Sequence, residues 1–498
     1  MPADPRPVTP SELRKVRFKT AVRGYDSKEV EAMLLRSAAA IEHLLVDPVG
    51  ANIQSQASMR ELRNDELPTT FRGVQCDEVN AFSERAASTI ERLLPGEKEV
   101  MQGRDAAVEV AAQVVTSPPA AVALVGSGAL ATPERRGHRD SIRVALGART
   151  YHVVVGEGLE ADLVAAVQNH GARRVALVTQ PSVESVAKAY SDVLSLHDIP
   201  NTILSIDDGE AAKTLPTVDT LCRSMAEFGL LRGDAVVAVG GGVVGDITGF
   251  TASVYYRGIA VVQVPTTLLA MVDAAIGGKT AANLPQGKNL IGAFHQPIAV
   301  LCNPTSLTTL TDREFRCGLG EVLKYALMGD AELMSIVATE SAALLARESS
   351  VLQRAITRSA AVKARFVSAD ERERTGLREH LNYGHTLAHA IETAADHALA
   401  HGEAVAVGLV FAGALASALE RITPEAATQH RVLAEALGLP VTVPPDLKRS
   451  DLVQFMRRDK KAVGGLRFVL QGPNGLERVD NPSDLALDVA FSAVGLIH

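Results

Sequence analysis

The 498-residue sequence predicts an α/β fold joined to a mainly helical domain, with a helical extension at the N-terminus. Between residues 141 and 305, short β-branched apolar runs alternate with helical patterns, which is typical of a doubly wound parallel sheet. Beyond about residue 305 the strand signals fade, and helical patterns continue to about residue 437. We therefore divide the chain into a helical extension (1–94), a linker (95–140), an α/β domain (141–305) and a helical domain (306–498).

The N-terminal extension contains an approximate internal repeat at a spacing of 49 residues, the distance from Val22 to Phe71. Val22–Met33 aligns with Phe71–Phe82, and each copy predicts a glycine turn followed by a short amphipathic helix. Such helices cannot bury their apolar faces alone, so we expect them to pair with each other or with another chain.

The first copy, TPSELRKVRFKTAVRGYDSKEVEAMLL, resembles the N-terminal motif of the DivIVA family of bacterial scaffold proteins. In that family a Phe-Arg pair before the glycine contacts the membrane. The first copy has Val22-Arg23 at this position, and the second keeps Phe71-Arg72. We favour a helical oligomerisation or docking module over a membrane contact.

The α/β domain is predicted from its elements in chain order. The predicted strands are Ile142–Leu146, His152–Val155, Val175–Val178, Thr202–Ile206, Val236–Val239 and Ile259–Val264. The helices between them cover about residues 159–169, 183–196 and 215–229. Near the C-terminus, Leu466–Leu470 predicts a short hairpin or strand.

Composition narrows the class of protein. Apolar residues make up 47% of the chain, which is ample for buried cores, and the net charge of −8 gives no reason to expect nucleic-acid binding. No apolar run reaches the roughly 18 residues of a membrane span, so we expect no integral membrane segment. The four cysteines form no CxxC pair, which indicates reduced thiols and a cytoplasmic protein.

A nucleotide site is predicted where strand Val236–Val239 ends in Gly240–Gly242 and a helical pattern begins. We expect these glycines to adopt positive φ and to leave no Cβ between main chain and ligand. A strand, a glycine turn and a helix N-terminus form a site for a dinucleotide pyrophosphate. Thr266-Thr267 and the Asp207–Lys213 loop follow other predicted strands, at the edge where α/β sheets bind ligands.

Charged groups in apolar surroundings predict a catalytic centre. Lys279 and Lys288 lie in a segment otherwise apolar or glycine-rich, which indicates a bound anion. In the helical domain, the possible metal ligands are Glu321, three residues before Lys324, the pair His385 and His389, four residues apart, and His401. One Glu and two His match a catalytic zinc site, and spacing alone leaves either histidine of the pair open as a ligand.

The segment from Asp234 to Pro297, which includes VDAAIGGKTAANLPQGKNLIGAFHQP, resembles 3-dehydroquinate synthases of the sugar phosphate cyclase superfamily. The likeness extends over about residues 141–498. It implies an NAD-binding α/β domain and a helical domain that holds one divalent metal, zinc or cobalt. The implied metal ligands are Glu321, His385 and His401, which leaves His389 to contact the substrate.

The resemblance also implies the other site residues. The implied cofactor contacts are Asp208, Glu210, Lys213, Gly241, Gly242, Asp246, Thr266, Thr267, Asp273, Lys288, Thr308 and Thr309. The implied catalytic and substrate-contacting groups are Arg257, Lys279, Asn289, Lys324, Lys363, Arg378, Asn382, His389 and Lys460, the last chosen over its neighbour Lys461.

The resemblance implies a homodimeric lyase that converts 3-deoxy-D-arabino-heptulosonate 7-phosphate to 3-dehydroquinate and phosphate, a step of the shikimate pathway of aromatic amino acid biosynthesis. The implied reaction steps are, in order, transient oxidation by NAD, β-elimination of phosphate, re-reduction and aldol cyclisation. Alternatives are a related cyclase acting on sedoheptulose 7-phosphate or glucose 6-phosphate, a metal-dependent polyol dehydrogenase, and an inactive cyclase that acts as a scaffold through its N-terminal repeats.

The sequence departs from the family pattern at Gln180, at Gly320 and at Cys302-Asn303-Pro304, which replaces a more common acidic stretch. Gln180 stands where an Asp or Asn usually meets the adenosine ribose, a change that we expect to weaken NAD binding. Gly320 replaces the usual Ala before the metal-ligating Glu321, and we expect this small-for-small change to be without consequence.

Overall fold

A computed structural model provides the fold. It describes residues 133–136, 138–395, 399–459 and 465–496, together with four two-residue strands nearer the N-terminus. The chain forms two compact units, residues 1–110 and 111–498, so the α/β and helical halves belong to one unit.

The first unit contains a small antiparallel sheet. Its strands are β1 (Thr20–Ala21), β2 (Gly24–Tyr25), β3 (Thr69–Thr70) and β4 (Gly73–Val74). Their order in the sheet is β1-β4-β2-β3. The helices predicted for the extension lie outside the described residues.

The second unit is built on an eight-stranded sheet with the order β5-β6-β7-β14-β11-β10-β8-β9. The strands from β5 onward are β5 (Glu134–Arg136), β6 (Arg139–Val144), β7 (Tyr151–Val155), β8 (Val175–Thr179), β9 (Asn201–Ser205), β10 (Ala235–Gly240), β11 (Ala260–Pro265), the hairpin β12 (Lys279–Leu284) and β13 (Gly287–Phe294), and β14 (Ala299–Cys302). All six predicted strands are confirmed, whereas β5, the hairpin and β14 were not predicted.

One edge of the sheet differs from the prediction. Strands β7, β14, β11, β10, β8 and β9 are parallel, as predicted, but β6 pairs antiparallel with β7 and β5 antiparallel with β6. Only residues 145–150 join β6 to β7, and so short a connection cannot make the crossover that parallel pairing needs. The predicted linker is also too long at its C-terminal end, because residues 134–140 already belong to this edge.

Helices cover both faces of the sheet, as a doubly wound fold requires. The α/β half has α1 (Glu160–His170), α2 (Glu184–Leu196), α3 (Leu215–Glu227) and α4 (Gly242–Val254). On one face α1 and α2 pack against alternate strand residues such as Leu177 and Val237. On the other face α3 and α4 pack against their neighbours Ala176 and Val236. Because strand residues are buried on both faces, the strands read as continuous apolar runs.

The remaining half is helical, as predicted, and carries the predicted C-terminal hairpin. Its elements are α5 (Asp312–Leu327), α6 (Ala331–Thr339), α7 (Ser341–Leu345), α8 (Ser349–Ala369), α9 (His385–Ala394), α10 (His401–Ala418), α11 (Pro424–Ala436), α12 (Arg449–Asp459), β15 (Arg467–Gly472), β16 (Gly475–Asp480) and α13 (Asp484–Ala493). One continuous core joins this half to the sheet through residues such as Val153, Leu268 and Val322.

Helix α10 is apolar on nearly every side and lies in the middle of this half. Among the described residues it is the one helix that is long and apolar enough to cross a membrane by length and composition. However, 72% of its most apolar window is buried inside the fold, which is the pattern of a core helix.

Candidate active site

Three helices bring the predicted metal ligands together. Glu321 lies in the middle of α5, His385 begins α9 and His401 begins α10. The Nε2 atoms of His385 and His401 lie 3.3 and 3.4 Å from Oε1 of Glu321. All three ligand atoms lie within 4.8 Å of one another, so one ion can contact all of them.

The donor set fits a divalent metal. Glu321 is completely buried, and neither of its carboxylate oxygens accepts a hydrogen bond of good geometry. A buried carboxylate requires a positive partner, and a metal held by one carboxylate oxygen and two imidazole nitrogens is such a partner. His385, and not His389, belongs to this group, as the family pattern implies.

His389 lies beside the ligands. Its ring centre is 5.4 Å from that of His385 and 6.5 Å from that of His401. It shares one face of α9 with His385 because residues four apart lie one turn above each other. The predicted role of His389 as a group that contacts substrate next to the metal therefore fits its position.

Each histidine ligand is also held at its second nitrogen. Nδ1 of His385 lies 3.1 Å from the backbone carbonyl oxygen of Tyr383, so it carries the proton and leaves Nε2 free for a metal. Burial and the nearby Lys324 lower the pKa of His385 to about 4, which keeps the ring neutral. Nδ1 of His401 lies 3.3 Å from a carboxylate oxygen of Glu392.

Lysines surround the acidic groups of the site. Lys324 is 1% exposed and forms an ion pair with Glu321, one helical turn away. Lys363 of α8 lies 2.7 Å from Asp273, and the Tyr325 hydroxyl donates to the same carboxylate at 2.6 Å. Asp273 lies in a π-helical turn, Ala270–Ala274, a distortion that often marks functional sites.

The electrostatics of this cluster follow from burial and pairing. Burial favours the neutral carboxyl of Glu321, but Lys324 and the contacts with the two histidines outweigh burial and hold the pKa of that carboxyl well below its ordinary value. For Asp273, Lys363 and Lys324 likewise overcome burial and lower the pKa. Burial lowers the pKa of Lys363 to about 8, although Asp273 opposes the shift.

Two further predicted substrate groups share an acidic partner. Lys279, at the start of β12, forms an ion pair with Glu373, and Nε of Arg378 lies 3.8 Å from the same carboxylate. The Arg378 guanidinium is buried and donates to the carbonyl oxygens of Gly277 and Glu371. Lys279 and Arg378 therefore form a cationic pair, and Glu373 occupies the position between them.

A cleft of about 610 Å³ is lined by residues of both the α/β half and the helical half. Six predicted cofactor contacts line it: Asp208, Gly241, Gly242, Thr266, Thr267 and Thr309. Cys317, one turn before Glu321, and Ala400, directly before His401, also line it. A larger cleft of about 890 Å³ lies elsewhere, around Arg139 and Arg354, and contains none of the predicted site residues.

The glycine turn has a different physical basis from the one predicted. None of Gly240, Gly241 and Gly242 has positive φ. Instead, a Cβ on Gly240 would lie 2.4 Å from the side chain of Val244, and one on Gly241 would lie 3.0 Å from that of Thr267. These glycines are required for close packing at the helix N-terminus, where free N–H groups face the cleft.

A polar group next to the cleft contains four predicted residues. Lys213 forms an ion pair with Asp246 and donates to the Asn289 side chain at 2.5 Å. Asn283, which was not predicted, donates to Glu210 at 2.7 Å and accepts from the backbone N–H of Asn289 at 2.9 Å. Asn289 therefore contacts the predicted cofactor residue Lys213, and its assigned contact with substrate stays a prediction.

Several predicted residues are not brought into these groups. Arg257 and Lys288 are exposed, and Thr308 donates to the Thr305 carbonyl oxygen and does not line the cleft. Asn382 is half-buried in the short helix before α9. Lys460 lies outside the described residues.

Two of the departures from the family pattern have structural consequences. Gln180 lines the cleft, and its amide donates to the Asp207 carbonyl oxygen at 2.7 Å, so it supports the loop that carries Asp208. The expectation for Gly320 was wrong: a Cβ at this position would lie 2.2 Å from the carbonyl oxygen of Gly402. Helices α5 and α10 approach through this glycine, next to two metal ligands.

Sequence reasoning missed the residues that support the site. Besides Asn283, Glu373 and Glu392, it missed Arg313, which donates to both carboxylate oxygens of Glu403 at the start of α10. The HGE spacing was the available signal for Glu403, because an acid three residues into a helix caps its N-terminus. Glu403 does so by accepting from the Ala400 N–H at 2.8 Å.

Sequence comparison gives the family. The family model described as 3-dehydroquinate synthase N-terminal matches residues 203–317, and that described as 3-dehydroquinate synthase C-terminal matches residues 318–462. The chain belongs to the 3-dehydroquinate synthase family. A member named 3-dehydroquinate synthase from Synechococcus sp. (strain CC9605) is 45% identical over 368 residues, 71% of this chain and 96% of the relative.

Another relative is named for a different activity. A putative aminodehydroquinate synthase from Amycolatopsis mediterranei (strain S699) is 45% identical over 352 residues, 70% of this chain and 94% of the relative. The family models begin at residue 203, so the N-terminal extension lies outside both of them.

Solved structures of sugar phosphate cyclases share the fold. A 2-epi-5-epi-valiolone synthase from Streptomyces hygroscopicus subsp. jinggangensis 5008, with NAD+ and Zn2+ bound, has a TM-score of 0.62 and 29% identity, covering 69% of this chain and 96% of its own. A 2-deoxy-scyllo-inosose synthase complexed with carbaglucose-6-phosphate, NAD+ and Co2+ has a TM-score of 0.60 and 25% identity, covering 71% of this chain and 100% of its own.

Proposed function

We propose that this protein is an NAD- and divalent-metal-dependent 3-dehydroquinate synthase. Its substrate is 3-deoxy-D-arabino-heptulosonate 7-phosphate, and its products are 3-dehydroquinate and phosphate. The observation that carries the proposal is the group formed by Glu321, His385 and His401, with the buried Lys324 paired to Glu321. Cys317, one turn before Glu321, and Ala400, directly before His401, line the same cleft as the predicted cofactor contacts.

Each part of the site has a task in this reaction. When bound, NAD supplies a transient hydride acceptor and the divalent metal supplies a Lewis acid. Lys279, Lys324, Lys363 and Arg378 provide the positive charge that holds a substrate carrying both phosphate and carboxylate. His389 lies next to His385 without belonging to the metal-ligand group, and in this proposal it contacts the substrate. Fixed orientation of the substrate supplies much of the rate.

The proposal includes the setting of the enzyme. We propose a cytoplasmic location, supported by the three described cysteines, all of which are free thiols. We also propose that the enzyme is a homodimer, as the family resemblance implies. We propose further that the N-terminal unit mediates self-association or binds a partner, and that the enzyme binds no nucleic acid.

A second candidate function is formation of aminodehydroquinate. It is favoured by the putative aminodehydroquinate synthase from Amycolatopsis mediterranei, which is 45% identical to this chain. The 3-dehydroquinate synthase from Synechococcus has the same identity. The two activities require the same metal group and cleft, so the choice between them rests on the substrate.

The test is a comparison of substrates with the purified full chain, catalytic NAD and zinc or cobalt. Phosphate release is followed with 3-deoxy-D-arabino-heptulosonate 7-phosphate, its amino-substituted counterpart, sedoheptulose 7-phosphate and glucose 6-phosphate. We expect the first to turn over with formation of 3-dehydroquinate, and EDTA or omission of NAD to abolish the reaction. The variant His385→Ala is expected to be inactive, whereas His152→Ala, at an exposed position of β7, is the matched control.

Preference for the amino-substituted substrate would favour the second candidate. Turnover of sedoheptulose 7-phosphate or glucose 6-phosphate alone would place the chain among the sister cyclases. If no substrate turns over while NAD and metal bind, the proposed function is wrong, and the scaffold interpretation replaces it.

A further inference from the structure

One acidic side chain reaches the metal group without belonging to it. Glu392 lies on α9, seven residues after His385, and its Oε1 atom is 3.3 Å from Nδ1 of His401. The Glu392 side chain is 17% exposed, so it is largely withdrawn from water. Glu392 therefore contacts the ligand from the side opposite to the metal.

The two nitrogens of His401 face different partners. Nε2 lies 3.4 Å from Glu321 Oε1, on the metal side, while Nδ1 faces Glu392. A carboxylate that accepts a hydrogen bond from Nδ1–H fixes the tautomer and the ring orientation. The lone pair of Nε2 is then directed at the metal. His385 receives the same support from the Tyr383 carbonyl oxygen, a group that a side-chain substitution cannot remove.

We propose that Glu392 is a positioning residue that holds His401 in its metal-binding tautomer and orientation. The proposal rests on the metal of the proposed function. Its measurable consequence is metal affinity, because loss of such a contact typically weakens metal binding by about 10–100-fold.

The experiment compares metal binding in the full chain and in two variants. Glu392→Ala removes the acceptor, and Glu392→Gln keeps an acceptor oxygen at nearly the same place without the charge. Zinc is titrated against a chromophoric chelator, and the absorption spectrum of the cobalt-loaded protein reports the ligand geometry. Glu425→Gln, at an exposed position of α11, is the matched control.

We expect Glu392→Ala to bind zinc about 10–100-fold more weakly, with an altered cobalt spectrum, and Glu392→Gln to lie between it and the wild type. The metal-free unfolding temperature separates positioning from a general loss of folding, since Glu392→Gln should leave it unchanged. Zinc affinity and cobalt spectra equal to those of the wild type in both variants would overturn the proposal. The measurement is metal binding and not activity. If the enzyme is inactive but zinc affinity still falls from the wild type through Glu392→Gln to Glu392→Ala, only the proposed function is overturned.

The small N-terminal sheet carries an independent inference. The repeat offset of 49 residues maps β1 onto β3 and β2 onto β4, so the order β1-β4-β2-β3 alternates between the two copies. The pairing is unchanged when the copies are exchanged, as shown by the partners Thr20↔Val74 with Tyr25↔Thr69, and Ala21↔Gly73 with Gly24↔Thr70.

Such exchange symmetry is the signature of a two-fold, isologous interface, which normally joins two separate chains. We infer that the two copies act as a fused pseudo-dimer, in which each copy has the other copy of the same chain as its partner. The pairing of the two copies is therefore made within one chain and does not need a second chain.

Cysteine pairs test whether the pairing occurs within one chain. Thr20→Cys with Val74→Cys, and Ala21→Cys with Gly73→Cys, are made in a Cys76→Ser background, because directly paired strand positions lie within disulfide reach. Thr20→Cys with Thr70→Cys, on the two outer strands, is the control. Isotopically labelled and unlabelled full chains are mixed before oxidation, and the linked peptides are identified by mass spectrometry.

We expect both pairs to form links whose two peptides come from the same isotopic population, while the control pair does not link. Links between labelled and unlabelled peptides would show pairing between chains and overturn the inference. The absence of any link in both pairs, with the free thiols still reactive, would overturn it as well.

Discussion

At the scale of single residues, Lys363 connects burial to the pH range in which the site can hold an anion. Burial lowers the pKa of its ammonium group to about 8, against an ordinary value of about 10.4. The positive charge is therefore present below pH 8 and is lost as the pH rises through that value. We predict that kcat/KM for phosphate release falls above about pH 8, chiefly through a higher KM.

The variant Lys363→Arg provides the comparison, because a guanidinium stays charged at every accessible pH. Its alkaline limit should move upward by more than one pH unit, whereas Lys188→Arg, at an exposed position of α2, should leave the profile unchanged. If kcat/KM falls at the same alkaline pH in the wild type and in Lys363→Arg, the group that titrates is not Lys363.

Residue-level prediction succeeded where a local pattern carries the chemistry. Spacing placed His385 and His389 on one helical face, but only the family pattern selected His385, because either nitrogen donor suits a metal by residue type. Glu392 and Asn283 carry no such pattern: an acid on a helix and an amide in a hairpin gain a role only when a distant partner is placed against them. The contact between Glu392 and His401 depends on how α9 and α10 pack, which no spacing within either helix reveals.

At the scale of elements, the approach of α5 to α10 depends on Gly320. A methyl group there would lie 2.2 Å from the Gly402 carbonyl oxygen, so Gly320→Ala must push apart two helices that carry metal ligands. Overpacking of this kind costs about 1–3 kcal/mol. We predict a lower free energy of unfolding by that amount and weaker zinc binding, measured by denaturant titration and chelator competition.

The control for this substitution is Gly233→Ala, where the added methyl group meets no atom within 4 Å. It isolates the loss of a glycine from the clash at the helix contact. Equal stability of Gly320→Ala and the wild type would show that the fold accommodates the methyl group at this position, as expected from the sequence alone.

The hairpin β12–β13 is tied to the cofactor loop through Asn283. This side chain donates to Glu210 and accepts from the Asn289 N–H, while its own backbone N–H donates to the Lys213 carbonyl oxygen at 2.8 Å. Each side-chain hydrogen bond contributes about 0.5–1.5 kcal/mol. We predict that Asn283→Ala raises the Kd for NAD up to about ten-fold, measured by calorimetry. The control is Thr220→Ala, at an exposed position of α3. An unchanged Kd would remove the hairpin from cofactor binding.

At the scale of the whole molecule, the sequence predicted five of the six parallel strands, all but β14, chiefly because burial on both faces makes a central strand a continuous apolar run. Strand β5 escaped this signal, because it is short and polar and merges with the run predicted as a linker. Strand β13 has exposed positions along most of its length, so it shows no apolar run either. The packing of the helical half against the sheet, which forms the cleft, joins residues too distant in sequence for any local pattern.

The metal group joins three helices, and the stability of the second unit should reflect this. Glu321, His385 and His401 belong to α5, α9 and α10, so an ion that binds them stabilises the folded state over the unfolded chain. At a free metal concentration 100 times the Kd, the expected gain is about 2.7 kcal/mol. We predict that EDTA lowers the free energy of unfolding by that order, measured by denaturant titration with and without zinc. In Glu321→Gln the difference should vanish, because the charged ligand is lost, whereas Glu425→Gln should retain it. A zinc-dependent gain that persists in Glu321→Gln would place the bound ion at another site.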